Sequence, residues 1–485
     1  MKCEQIENKN CQSIPFYCII TLTVVLSCAA VRFFRRWGSF MDNDIHLFKF
    51  KGKNILFDVE SSSLHIVDDL TAKILQEFDG KNDEEILKKF GENGGEILED
   101  LHCLMKEGSL FAPKLNLPKN YRPEGVVKSL CLMVAEDCNL SCKYCFADGG
   151  TYGKTPAVMS PEVGTAAIDF LLKNSPGRNH YEVDFFGGEP LMNMPTLKTV
   201  ADYARKKEAE TGKRIKLTLT TNGILLNDEV IAWLNEKNIS VVLSLDGRKE
   251  IHDAVRPDKG GRGTYDRAVK NFKKLTNSRS GENYYIRGTY TKKNLDFTKD
   301  VAAMYDAGFR ILSIEPVVLK SGELAITKED LPRIFEEYER LTEYYLEKAK
   351  SSDPFNFFHF NIDLSGGPCL HKRVAACGAG HEYLAVSENG ELYPCHQFVG
   401  NDAYKMGNIR EGVTNKALSG VFRNSHIFNK PKCEACFARY LCSGGCHANA
   451  ENLNGDLLFP YEIGCEIQKK RIECALYILT EIKKS

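Results

Sequence analysis

"EDCNLSCKYCFADGG", residues 136–150, sets Cys138, Cys142 and Cys145 within eight positions, with Tyr144 and Phe146 flanking the last of them. It follows an apolar run, "SLCLMVA" (129–135), that reads as a buried strand. Three thiols on one loop at a strand end, with no fourth close by, suit a metal centre that keeps one position open. A four-iron cluster ordinarily takes four thiolates. An open position is also what separates catalytic metal sites from closed structural ones, and catalytic zinc accepts three ligands too.

The chain around this loop is rhythmic. From 129 to about 320, strand-like runs ("SLCLMVA", "YEVDFF", "KLTLTT", "ISVVLSL", "NYYIRGTY", "RILSIEP") alternate with helical stretches near 161–173, 195–210, 228–237, 264–275 and 296–307. Six βα repeats predict an α/β fold with a parallel sheet, open or curled into a partial barrel. Right-handed crossovers put every strand's C-terminal end on one face, where α/β active sites collect. The candidate residues fall there: the cysteines after the first strand, "FFGGEP" (185–190) after the second, "TTNG" (220–223) after the third and "SLDG" (244–247) after the fourth. Gly187 and Gly188 let the backbone approach a ligand closely, and Glu189 before Pro190 offers a carboxylate to an ammonium group. Asn222 and Asp246 each stand at or beside a glycine, where turn formation explains them equally well.

Composition narrows the class. At 485 residues the chain exceeds a single core and predicts two or three domains. A net charge of −1 gives no bulk attraction to nucleic acid or acidic membrane. Of 18 cysteines, three lie at 138–145 and nine between Cys369 and Cys474. A chain with this much core needs no disulfide staples, so the clustering points to metal or cluster ligation in a reducing compartment.

Residues 1–40 form an extension whose apolar run, 16–31, is short for a membrane span and precedes Arg32, Arg35 and Arg36. Two readings stand: a membrane anchor that leaves all later residues in the cytoplasm, or a true start at Met41. Both make the catalytic domains cytoplasmic. Residues 41–112 read as a small α+β domain, with three strands in 44–67 turning at Lys51-Gly52 and Ser61-Ser62, then three helical stretches. Residues 113–125, with three prolines, read as a linker. The βα array with a following amphipathic helix occupies 126–350. A cysteine-rich segment of little regular pattern, closed by a helix, occupies 351–485.

Cys138-x3-Cys142-x2-Cys145 with its aromatic flanks, together with "FFGGEP", resembles the radical S-adenosylmethionine (SAM) superfamily, whose core is a partial (β/α)6 barrel. The resemblance implies a [4Fe–4S] cluster on Cys138, Cys142 and Cys145, with SAM chelating the open iron. It implies that Gly187, Gly188, Glu189 and Pro190 hold the methionyl amine, and that Asn222, Ser244 and Asp246 lie near the ribose and methionyl carboxylate, with Tyr144 also beside the cofactor. "HDAVRPDKGGRGTYD" (252–266) looks like a segment common to peptide-modifying members. Its Arg256 is either a carboxylate partner or a solvated loop residue.

The C-terminal order, Cys377-x12-Gly390-x4-Cys395, then Cys433-x2-Cys436-x5-Cys442-x3-Cys446, then Cys465, resembles the SPASM extension with two auxiliary [4Fe–4S] clusters, three in all. The resemblance implies that Cys433, Cys436, Cys442 and Cys465 hold one, and Cys377, Cys395 and Cys446 the other. Cys369 either completes the second or leaves its iron open to a substrate thiolate. A zinc ribbon is the alternative for these thiols. Cys103, Cys131 and Cys474 read as core thiols, and His371, His381, His396 and His447 as hydrogen-bond partners rather than ligands.

Over 42–485 the arrangement resembles the thioether-forming maturases of cysteine-rich SCIFF peptides (ranthipeptide synthases). The resemblance implies a winged-helix-like N-terminal domain that binds the leader of a small precursor peptide as an added strand. It implies a 5′-deoxyadenosyl radical that takes a hydrogen atom from a peptide carbon, which then bonds a peptide cysteine sulfur, and an electron donor such as flavodoxin or ferredoxin. Alternatives are a sulfatase-type maturase that oxidises Cys or Ser to formylglycine, a multi-cluster electron carrier, and a zinc-binding adaptor.

Overall fold

The computed structural model describes residues 45–77, 83–115, 121–123, 125–364 and 374–482. The apolar run 16–31, Cys369 and His371 therefore lie outside the described residues. The chain divides into two compact units, one built on Ile45–Pro113 and the other on Lys114–Ile362 with Cys369–Ser485. Among the described residues no helix is long and apolar enough to cross a membrane.

The first unit is an antiparallel meander of β1 (Ile45–Phe50), β2 (Lys53–Asp58) and β3 (Leu64–Val67), with β2 central. Lys51 and Gly52, both at positive φ, make the first turn. Helices α1 (Asp69–Glu77) and α2 (Asp83–Lys106) cover the sheet through Ile74, Ile97, Leu101 and Leu104, which pack with Leu56 and Val67. The two helical stretches expected over α2 run on from one another and are broken only at Gly91, which departs to φ 61°, ψ −149°. Cys103 is not a core thiol. It is exposed, because the buried stripe of α2 runs through Leu101 and Leu104, and its Sγ donates to Glu107 Oε1 at 3.7 Å.

The second unit is organised by one large sheet. Its centre is six parallel strands in sequence order: β4 (Ser129–Glu136), β6 (His180–Gly187), β7 (Arg214–Thr221), β8 (Ser240–Ser244), β9 (Tyr284–Tyr290) and β10 (Ile311–Pro316). A two-residue β5 (Ala157–Val158) pairs antiparallel with the end of β4, and β11 (Asn356–Phe357) extends beyond β10. Helices α3 (Pro161–Asn174), α4 (Met194–Thr211), α5 (Asp228–Glu236), α6 (Lys249–Val255), α7 (Tyr265–Asn277), α8 (Thr298–Asp306) and α9 (Leu331–Ala349) fill the crossovers.

Side chains alternate between the two faces of each strand. On β9, Ile286 and Tyr290 are buried, and a Cβ on Gly288 would meet Met304 of α8. Tyr285, Arg287 and Thr289 therefore point to the inner face, away from that helix. A C-terminal helix, Glu462–Ile482, locks onto α9, where Arg471 Nε donates to Tyr338 Oη at 2.8 Å. Cys131 and Cys474 are buried, as expected of core thiols.

The cysteine-rich region is more regular than its sequence suggests. β12 (Tyr383–Val386) pairs parallel with β4 on the edge opposite β6, and β13 (Glu391–Tyr393), β14 (Gly407–Asn408) and β15 (Gly412–Val413) continue antiparallel from it. Strands of two to four residues are too short to show a period of two, so only pairing reveals them.

Candidate active site

The cysteine loop leaves β4 and is held from two directions. On one side Gly188 N donates to Ala135 O at 2.8 Å and Glu189 N to Asp137 O at 2.9 Å. A Cβ on Gly188 would stand 2.1 Å from Asp137 O, and one on Gly187 (φ 134°) 2.2 Å from Ala135 O. The two glycines are thus required by the close backbone of Ala135 and Asp137, the end of β4 and the start of the cysteine loop. On the other side Ser141 N donates to Pro257 O and Lys143 N to Val255 O, both at 2.9 Å, and Lys259 Nζ reaches Asp137 Oδ1 at 2.9 Å. The 252–266 segment is thus a clamp on the loop. Its turn is organised by Asp258, which accepts from Gly260 N and Arg262 N. The Arg262 backbone and the neighbouring donors hold that carboxyl below its ordinary range.

Glu189 is fully buried. Its Oε1 accepts from Thr221 Oγ1 at 2.8 Å and Leu191 N at 3.2 Å, and its Oε2 from Asn222 N at 2.8 Å. Burial outweighs these donors and pushes the carboxyl up to about 7. The Asn222 amide donates to Asn139 Oδ1 at 2.8 Å and lies 3.8 Å from Cys138 Sγ, tying the third strand end to the first cysteine. Pro190 starts the turn Pro190–Asn193. Thr221 and Asn139 lie inside "TTNG" and the cysteine loop, but neither was expected to have a role of its own.

Arg256 is not a solvated loop residue; it is 8% exposed. Its Nη1 donates to Tyr144 Oη at 2.7 Å and lies 3.7 Å from Asp246 Oδ1, while the Tyr144 hydroxyl donates to Asp246 Oδ2. Thr289 N completes the carboxylate's shell at 3.0 Å. Asp246 N donates to His252 Nδ1 at 3.3 Å, so that ring carries its proton on Nε2, 3.0 Å from Thr264 Oγ1. Burial, then the Arg256 charge, pushes His252 down to about 3 and keeps it neutral. Ser244 ends β8 in register with Arg287 of β9.

The remaining thiols fall into two further sets. Cys377, Cys395 and Cys446 lie within electrostatic reach of one another, as do Cys433, Cys436, Cys442 and Cys465. Buried Lys430 touches both sets electrostatically and donates from Nζ to Gly444 O at 2.7 Å. His381 Nδ1 contacts Ala379 O, His396 Nδ1 contacts Tyr383 Oη and His447 Nε2 contacts Ser425 O, at 3.2, 3.1 and 2.9 Å. His396 also stacks near Phe146 and Phe186, with ring centroids 5.7 and 4.8 Å away, so the segment after Cys395 abuts the first cysteine loop.

These sets suit iron–sulfur clusters. Each consists of free thiols alone, three or four strong, the donor set such clusters take. Burial pushes Cys138 and Cys465 up to about 12 and Cys433 up to about 11, so deprotonation is left to a metal. Among the described residues no three Cys, His, Asp or Glu side chains converge on a single ion.

Residues 132–291 match the Radical SAM superfamily, and residues 377–437 match SPASM, described as an iron-sulfur cluster-binding domain. The chain carries a radical SAM domain followed by a SPASM domain. The radical SAM match begins inside β4 and ends just past β9; the SPASM match takes in Cys377, Cys395, Cys433 and Cys436. Over 360 residues, 70% of this chain and 85% of the relative, the sequence is 25% identical to the serine-type anaerobic sulfatase-maturating enzyme of Klebsiella aerogenes. In fold, the radical SAM–SPASM chain is similar to native anSMEcpe with bound AdoMet, at a TM-score of 0.61 and 20% identity, covering 73% of this chain and 99% of that one. It is similar also to Streptococcus suis SuiB bound to S-adenosylmethionine, at a TM-score of 0.52 and 19% identity, covering 87% and 98%.

Proposed function

We infer that the protein is a radical SAM maturase of ribosomally made, cysteine-rich peptides, and that it installs Cys-to-carbon thioether cross-links. The observation that carries this reading is the small strand-and-helix unit, Ile45–Pro113, ahead of the barrel. The likeness to SuiB, also solved with its precursor peptide SuiA at a TM-score of 0.50, spans 87% of the chain, more than residues 113–485 amount to, so it reaches into that unit. Among the described residues β3 pairs with β2 alone, at one edge of the sheet, and a leader strand adds to such an edge. In this reading 41–112 recognises the leader, 113–125 links, 126–350 is the radical SAM core and 351–485 is the SPASM domain. All work in the cytoplasm, with a flavodoxin or ferredoxin as electron donor.

Cys138, Cys142 and Cys145 hold the SAM-binding [4Fe–4S] cluster, and the two C-terminal sets hold auxiliary ones. When bound, the first cluster supplies the electron that splits SAM into methionine and the 5′-deoxyadenosyl radical. The protein's own work is positional. Glu189 receives the methionyl ammonium, and Asn222 fixes the loop that carries Cys138. Arg256, Tyr144 and Asp246 lock the far side of the pocket with charge-assisted bonds that need no rearrangement.

The test is the mass of a cysteine-rich peptide with a leader after anaerobic incubation with reconstituted enzyme, reductant and SAM. Each thioether removes two hydrogens and leaves its sulfur unreactive to a thiol-alkylating reagent. The second reading, formylglycine formation, is favoured by the 25% identity to a sulfatase-maturating enzyme over most of that enzyme's length. It would instead yield an aldehyde that condenses with a hydrazine probe.

A further inference from the structure

The inner face of the sheet carries several charges, and most of its cations among the described residues stand beside an acid: Lys216 of β7 is in register with Glu182 of β6 and acts on Asp184. Arg471 Nη2 donates to Ile314 O at 3.0 Å and to Glu315 at 3.1 Å, and His359 closes on the other Glu315 oxygen at 3.3 Å. Arg256 belongs to Tyr144 and Asp246. Arg287 differs. It points inward from the middle of β9, in register with Ser244 on one side and Ser313 on the other. It is exposed between two buried neighbours, Ile286 and Gly288, and among the described residues its guanidinium makes no hydrogen bond or ion pair. Its field reaches Asp246 at the cofactor edge, Glu315 and His359 beside β10, and His396 after Cys395. It therefore stands between the cofactor edge and the SPASM domain, where a residue under modification must sit. Tyr285 stacks on the exposed ring of Phe358 at 6.2 Å and 12°, giving that space an aromatic wall.

We propose that Arg287 is the substrate-anchoring cation of the barrel and binds a peptide carboxylate next to the residue being modified. This rests on the peptide-maturase reading and adds the chemistry of its substrate. A guanidinium presents a planar fork that matches a carboxylate with two parallel hydrogen bonds, which a neutral amide cannot match in charge. The carboxylate comes from an Asp or Glu side chain or from a chain terminus.

Three acetyl-capped probes distinguish these sources: Glu-Cys-Gly amide, Gln-Cys-Gly amide, and Gln-Cys-Gly with a free terminal carboxylate. Equilibrium dialysis against reconstituted holoenzyme with SAM and no reductant should retain at least one acidic probe about tenfold or more tightly than the neutral one. Arg287→Gln should erase that preference, Arg287→Lys should restore part of it, and SAM affinity should be unchanged in both. Equal retention of all three probes by the wild type, no retention of any, or a preference that survives Arg287→Gln would overturn the proposal. So would weakened SAM binding by Arg287→Gln, which would assign the guanidinium to the cofactor. Release of 5′-deoxyadenosine by the same variants with dithionite and no peptide tests the underlying radical SAM reading separately.

Discussion

If Glu189 receives the methionyl ammonium, SAM binding must depend on pH in one direction. Its carboxyl is buried and titrates near 7 in the free protein, well above the ordinary carboxylate value of 4.5. If it receives the methionyl ammonium, the bound cofactor favours the ionised form and draws that value below 7. Binding then releases a proton at acid pH, and affinity must rise as pH climbs toward 7 and level off above it. At pH 6 roughly nine in ten free molecules carry the proton, so affinity should be about tenfold below its plateau, or about 1.4 kcal/mol. Glu189→Gln should flatten this slope and weaken binding on the plateau by about 1.5–3 kcal/mol, the range for a hydrogen bond to a charged group. The assay is equilibrium dialysis of SAM against unreduced holoenzyme between pH 5.5 and 7.5. Asp184 needs a control, because burial pushes its carboxyl up to about 6, and Asp184→Asn should keep the slope. A slope shared by wild type and Glu189→Gln would refute the assignment of this carboxylate to the ammonium.

Cys142→Ala should abolish 5′-deoxyadenosine formation, read by chromatography; retained cleavage would remove the triplet from the chemistry. Gly188→Ala drives a Cβ to 2.1 Å from Asp137 O and should destabilise the fold by about 1–3 kcal/mol, read as a lower urea midpoint at unchanged slope. Arg471→Met strips the buried partner of Glu315 and Tyr338, and should cost about 3 kcal/mol, the low end for a broken buried pair because the Glu315 side chain is 28% exposed. Iron chelation should speed amide exchange in 431–446 far more than in β4 and β6, which hydrogen–deuterium exchange with mass spectrometry resolves.

The βα rhythm was legible because every second residue of a strand such as "KLTLTT" is buried, Leu217 and Leu219 beneath helices, while its polar partners face inward. The strand-end rule then collected Cys138, Glu189, Asn222 and Asp246 on one rim. What the sequence withheld were relations between distant residues. The need for Gly188 lies in the carbonyl of Asp137, fifty-one positions earlier, and local turn chemistry cannot express it. Of the two readings left open for Arg256, the carboxylate partner holds, but which carboxylate was illegible because Tyr144 and Asp246 come from two other strand ends. Cys103 looked apolar in context, yet only the helix's orientation on its sheet decides which of Leu101, Cys103 and Leu104 turns outward.

The two kinds of cysteine site are supported differently, and this bears on how each depends on its metal. The loop of Cys138 is pinned by backbone bonds to elements that fold around their own apolar cores: Gly188 and Glu189 just past β6, Val255 at the end of α6 and Pro257 two residues beyond it. Its shape is set before any ligand arrives, as a site that must accept and release a small molecule requires. The stretch from Cys433 to Cys446 is built from shorter elements. Its helices, Pro431–Glu434 and Arg439–Cys442, are four residues each, and its turns close largely on themselves, Cys436 N on Cys433 O and Cys442 N on Ala438 O. Helices of one turn do not stand alone in water. Lys430, buried among the thiols, finds neutralising charge only when they are thiolates. The C-terminal cysteines thus sit on short turns folded around their own thiols, whereas the loop of Cys138 hangs from the sheet.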